Sequence, residues 1–137
     1  MRALLAAVVA AIALAGCGSS DTDQVHTTLD TFVRAVATRD AKPICDQVLA
    51  PALIARLKGV GLSCQTAITR FFFSCKVRNP TLQVGRVSIK GSTASALVLS
   101  AAASQTPGIY QLGLVKTSQG WRVASETAEN RSGGGSC

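Results

Sequence analysis

His26, Asp30 and Arg34 stand four residues apart, the spacing that makes side chains neighbours along one helix face. A histidine beside a carboxylate can move a proton, so this stripe is the first candidate for chemistry. Val25, Leu29, Phe32, Val33 and Val36 recur at helical spacing and form the apolar face of the same segment. The stripe borders the opposite side and reads as a solvated ion-pair ladder turned away from any cleft. Four cysteines, Cys45, Cys64, Cys75 and Cys137, form a second constellation. None has the Cys-x-x-Cys spacing of a zinc or dithiol redox site, so the expectation is two structural disulfides and no metal. The third is Phe71-Phe72-Phe73, a core segment or an apolar surface for a ligand, partner or membrane.

A fifth cysteine, Cys17, has a different context. Arg2 supplies a positive start, and Ala3 to Ala15 is an unbroken apolar run, too short to span a bilayer. The run ends in Leu14-Ala15-Gly16-Cys17, which resembles the lipobox of bacterial lipoproteins. That resemblance implies cleavage before Cys17, diacylglycerol on its sulfur and a further acyl chain, typically palmitate, on the new N-terminus. Residues 1–16 are then a signal peptide and 17–22 a short tether. The domain occupies 23–127 and a Gly/Ser tail 128–137. The expected location is the extracytoplasmic face of the cell membrane. No cofactor is expected beyond the covalent lipid.

The chain of 137 residues carries a formal charge of +7, or +6 once Arg2 is lost with the signal peptide. Its basic residues are scattered and few aromatics lie between them, which argues against nucleic acid as a partner. An oxidising compartment suits paired cysteines in a small domain.

Ser20 or Asp21 can cap the first helix. Asp40 with Pro43 starts a second, carrying Ile44, Val48 and Leu49 inward, and Pro51 restarts the chain into a short helix with Leu53, Ile54 and Leu57. Gly59 and Gly61 stop it. Ser63 caps a helix from Cys64 to about Phe73, with Ile68, Phe71 and Phe72 as core contacts and one aromatic of the run partly exposed. Beyond Asn79-Pro80 the period changes to two. Leu82 and Val84 alternate, then Val87 and Ile89 alternate in the opposite phase, and a β-bulge at Gly85-Arg86 restores inward facing. Gly91-Ser92 is a hairpin turn, Leu97 and Leu99 share one side of the next strand, and Thr106-Pro107-Gly108 is a turn. Tyr110, Leu112 and Leu114 line a third strand. Ser118-Gln119-Gly120 turns again, and Trp121 with Val123 opens the last strand and should lie against the first helix near Phe32. Helices followed by an antiparallel sheet of at least four strands make an α+β domain.

Every aspartate precedes the strands, and Glu126 and Glu129 fall at or beyond the end of the last one. The strands offer Arg86, Lys90, Lys116 and Arg122 but no acid, and there is no second histidine. A helix unbroken from Cys64 to Cys75 would separate the two by about 16 Å along its axis. A disulfide needs Cα atoms within about 7 Å. Cys64–Cys75 is thereby excluded, and Cys45–Cys137 with it. Two connectivities remain: Cys45–Cys64 with Cys75–Cys137, and Cys45–Cys75 with Cys64–Cys137.

The order of elements resembles the nuclear transport factor 2-like superfamily, the cone-shaped α+β fold that includes ketosteroid isomerase and SnoaL-like proteins. It is similar in particular to small actinobacterial lipoproteins of that superfamily. The residues that carry this are Val25-x-x-x-Leu29-x-x-Phe32-x-x-Ala35-x-Ala37-x-x-Asp40, Cys45 to Leu49, and Gly120-Trp121-Arg122-Val123. The resemblance implies a sheet curled over the first helix. Related lipoproteins commonly pair cysteines around the helical turn-back that Cys45 and Cys64 bracket, which selects Cys45–Cys64 with Cys75–Cys137. It brings no active site, because the superfamily's enzymes place acids or bases on the concave face of the sheet. The leading expectation is therefore a non-enzymatic binding or accessory domain of the envelope, with no catalytic residue and with an envelope protein or apolar ligand as partner. The alternatives are a carrier of a lipid or small apolar ligand, lined by Phe71, Phe72, Phe73 and Tyr110, and an isomerase or hydratase using Asp30 or Asp46 turned inward.

Overall fold

The computed structural model describes residues 19–74, 79–102 and 105–128. Helix α1 (Asp21–Thr38) begins at a reciprocal capping box: the Ser20 hydroxyl accepts from the Asp23 N–H at 3.1 Å, and the Asp23 carboxylate accepts from the Ser20 N–H at 3.2 Å. Asp21 and Thr22, assigned above to the tether, therefore belong to the helix. Arg39, at φ 54°, ends it, and the Asp40 N–H closes the last turn on the Ala35 carbonyl. Asp40 then caps α2 (Ala41–Pro43) by accepting from the Lys42 N–H at 3.0 Å. α2 runs straight into a π turn, Ile44–Val48, which the Leu49 N–H closes on the Ile44 carbonyl at 2.9 Å. Pro51 opens α3 (Pro51–Gly59), where its missing N–H would have had no helical partner. Ser63 caps α4 (Cys64–Ser74) through the Thr66 N–H.

Four strands follow, β1 (Thr81–Lys90), β2 (Thr93–Ala102), β3 (Gln105–Thr117) and β4 (Gly120–Ala128), paired in sequence order as an antiparallel meander. Val84 faces Val98 and Val87 faces Ala96, so β1 carries one extra residue at Gly85-Arg86. This is the expected bulge, and it lets Leu82, Val84, Val87 and Ile89 all pack on the core. The turn expected at Thr106-Pro107-Gly108 is instead part of β3. Ala102 pairs with Gln105 and Ser100 with Gly108, so the extra β3 residue sits at Thr106-Pro107. A proline is tolerated at such a bulge because no ladder hydrogen bond is asked of it. A third bulge lies in β4: Leu114 faces Val123 but Gly113 faces Ser125.

One face of the sheet packs on α1. Val25 and Leu29 meet Ala94, Ala96, Val98, Leu112, Leu114, Trp121 and Val123, with Val48 of the π turn beside them, all buried. Phe32 and Leu49 bridge to a second cluster of Ala35, Ile44 and Phe72. The outer edge of β4 is not free: Leu49 pairs with Val123, and the Ala50 N–H donates to the Val123 carbonyl at 2.8 Å.

Candidate functional site

Trp121 is 1% exposed and ties the start of α1 to the β3–β4 hairpin. Its Nε1 donates to Asp21 Oδ1 at 3.2 Å, and Lys116 Nζ reaches the same oxygen at 2.6 Å. The ammonium lies 6.0 Å from the centroid of the indole ring. Thr28 Oγ1 donates to the Trp121 carbonyl at 3.0 Å. Trp121 thus lies against the first helix as expected, with its hydrogen bonds at Asp21 and Thr28, on the N-terminal side of Phe32. The hydrogen bonds from Lys116 and Trp121 hold the Asp21 carboxyl below the usual carboxylate range. A depressed pKa contributes stability above that range and loses it as pH falls through the folded-state value. Asp21→Asn should therefore flatten the acid limb of thermal stability, its midpoint falling less than the wild type's on acidification. Parallel acid limbs would show that the pair contributes nothing.

The sequence-predicted acids are not brought together. Asp30 and Arg34 are exposed and His26 half-exposed, and among the described residues no ion pair joins them. Arg34 instead donates to Thr31 Oγ1. The stripe is solvated but is not the expected ladder. Asp46 is exposed and paired with Lys42, which raises the lysine pKa. Neither Asp30 nor Asp46 turns inward. The strands do carry one carboxylate, contrary to expectation: β4 extends to Ala128, which puts Glu126 within it and directly opposite Leu112. Directly opposed residues share a face, so Glu126 stands on the core-bearing face, exposed beyond the packed interior. Among the described residues no three His, Cys, Asp or Glu side chains gather as a metal site would require.

The aromatic run is split. Phe72 is 4% exposed and packs with Ala35 and Ile44, whereas Phe71 is 50% and Phe73 75% exposed. Phe71 is thus not the core contact expected. A turn of 100° per residue allows one of three consecutive side chains to face the cluster squarely, and Phe72 takes that position. Tyr110 packs against the other cluster, so the pocket imagined from Phe71, Phe72, Phe73 and Tyr110 is not formed. Val60, 72% exposed after α3, adds to the apolar surface of the α3–α4 pair. Cys45 and Cys64 form a disulfide, their Cα atoms 5.9 Å apart, which pins the start of α4 to the π turn. Cys17, Cys75 and Cys137 lie outside the described residues. On the opposite sheet face, Leu99 and Ile109 form an exposed cross-strand pair beside Leu97.

No family model matches the chain, and no curated protein matches it. Solved structures do. A candidate dehydratase of the nuclear transport factor 2-like family from Streptomyces avermitilis aligns with a TM-score of 0.54 at 14% identity, over 79% of this chain and 94% of that one. A similar protein of unknown function from Silicibacter pomeroyi aligns with a TM-score of 0.54 at 15% identity, over 77% and 91%. A protein from Kribbella flavida aligns with a TM-score of 0.54 at 14% identity, over 80% and 91%. At such identities the likeness concerns architecture alone, and the architecture is the one built above: helices packed in the curve of an open four-stranded antiparallel sheet. The chain has the nuclear transport factor 2-like α+β cone fold.

Proposed function

We propose that this chain is a lipid-anchored extracytoplasmic binding domain, non-enzymatic, whose partner-contacting surface is the exposed corner of α4. The observation that carries the reading is the pair Phe71 and Phe73, held out from a helix that Phe72 and the Cys45–Cys64 bridge fix from within. Large aromatics on a rigid element make efficient contact anchors because little further entropy is lost on binding. The anchor supports the assignment of a side. Cys17 precedes α1, and Phe72 packs on Ala35, fourteen residues beyond Asp21, or about 21 Å along the helix. In the proposed arrangement α1 rises from the anchor, and the corner then faces an envelope protein rather than lipid.

Two or three acyl chains at about 0.8 kcal/mol per buried CH₂ hold a protein on a membrane essentially permanently. Cys17→Ala should leave the precursor uncleaved by the lipoprotein peptidase and without lipid mass. Wild-type protein isolated unmodified and cleaved elsewhere would refute the anchor. For the corner, the double substitution of Phe71 and Phe73 by serine should abolish co-purification of the envelope partner captured by wild type. It should leave stability within about 0.5 kcal/mol, as surface changes do. Capture undiminished in the double variant would refute the assignment.

A second reading rests on Glu126. It stands on the core-bearing face beside Tyr110, whose cross-strand partner is Ala128, and one structural neighbour is a candidate dehydratase. An isomerase or hydratase built on Glu126 would lose turnover in Glu126→Gln and keep it in Phe71→Ser, the reverse of what the binding reading expects of partner capture.

A further inference from the structure

Two clefts flank the solvent side of α1, one of about 390 Å³ and one of about 240 Å³. Thr31 and Gln47 line both, so the two clefts adjoin, and together they make up the α1 groove between α1 and the π turn. Thr27 lies toward one end and Thr38 at the other, eleven residues apart, or about 16 Å of helix. Arg122 lines the first cleft and Arg34 the second, and among the described residues no carboxylate lines either.

The hydrogen bonding sets what this groove offers. Thr27, Thr31 and Thr38 each donate their hydroxyl proton to the carbonyl four residues back, at 2.9 Å. With that proton committed, Thr27 and Thr38 present oxygen lone pairs to the groove as acceptors. Arg34 spends one N–H on Thr31 Oγ1, and Arg122 spends one on the Trp121 carbonyl. A guanidinium has five donors, so both keep donors for a ligand while the one bond holds them in place. The groove therefore mixes acceptors and donors, with one positive charge in each cleft. A hydroxyl-rich chain, which both donates and accepts, matches the first property, and acidic groups match the second.

A peptide fits less well. The adjacent edge of β4 has no free carbonyl to extend the sheet at Trp121 or Val123, whose oxygens already accept from Thr28 and Ala50. The lining offers no run of apolar sockets for alternate side chains. We propose that the α1 groove binds an acidic glycan, an extended chain of sugar rings bearing carboxylate groups, with Arg34 and Arg122 taking the charges and Thr27, Thr38 and Gln47 the hydroxyls. This surface is separate from the aromatic corner of α4, and its test does not depend on that assignment.

Calorimetry on the full-length protein reads binding directly, without relying on Trp121, which lies buried beneath the groove. Titration with hexameric oligogalacturonate should saturate. Arg122→Gln and Arg34→Gln should each weaken it about tenfold, and Thr38→Val several-fold. Arg56→Gln, which removes a charge outside the groove, should leave it unchanged. Arg34 is exposed, so its variant keeps the test valid should Arg122→Gln disturb packing. A neutral glucan hexamer should bind at least tenfold more weakly, and inorganic polyphosphate should bind without sensitivity to Thr38→Val. The absence of saturation would overturn the proposal. So would equal binding of the neutral hexamer, or equal losses in Arg56→Gln and Arg34→Gln, which would reduce the effect to the net charge of the chain.

Discussion

Trp121→Ala is expected to destabilise the fold by about 3–5 kcal/mol, the range for removing a large aromatic side chain from a packed core. Small domains have about 5–15 kcal/mol in total, so the variant should sit near the threshold of folding. The expectation follows from position. Trp121 is 1% exposed in the cluster that α1 forms with the sheet, and its Nε1 closes the link to Asp21. Trp121→Phe separates the two contributions: it keeps most of the apolar volume and loses the hydrogen bond, so it should cost markedly less. Urea denaturation measures both. An alanine variant with the wild-type midpoint would mean that Trp121 does not hold α1 to β4.

Removing the Cys45–Cys64 bridge should cost about 3 kcal/mol, from the loop-closure entropy of a sequence separation of 19. The effect should be local in consequence as well as global in stability. α3 contains no buried residue, and α4 is anchored by Phe72 and the buried Cys64. Without the bridge, amide exchange should accelerate first in α3 and α4, while β2 and β3 keep their protection. Uniform acceleration across the sheet would show that the corner and the sheet open as one unit. Peptide mapping under non-reducing conditions checks the pairing itself.

Much of the frame was legible because local chemistry dictated it. Ser20, Asp40 and Ser63 are side chains that satisfy orphan N–H groups; Asp40 and Ser63 cap where the sequence points, and of the two candidates Ser20 and Asp21 it is Ser20 that caps α1. The phase slip between Val84 and Val87 betrayed the bulge, since inward facing could not otherwise be restored. The bulge in β4 left no such mark. Beyond Val123 the strand has no second run of large apolar residues whose phase could be compared, so the sequence sets Glu126 at or beyond the strand's end rather than on its core-bearing face. Pro107 misled for a related reason: Pro-Gly is a strong turn signal locally, and only the register against β2 shows that it sits in a bulge. The exposure of Phe71 and Phe73 depends on which way α4 docks, a tertiary choice that a run of three identical residues cannot encode. The groove was hidden in residues of low chemical reactivity. Thr27, Thr31 and Thr38 fall on one side of α1, but a threonine gains meaning as an acceptor only when its proton is known to be committed.

The α4 corner is the proposed meeting point of this domain and its partner. A photo-crosslinking residue placed at position 73 in intact envelopes tests it most directly. A discrete protein adduct is expected from position 73, absent when the crosslinker stands at Gln111 and lost when Phe71 is changed to serine. Adducts with lipid alone, or the same protein adduct from both positions, would contradict it.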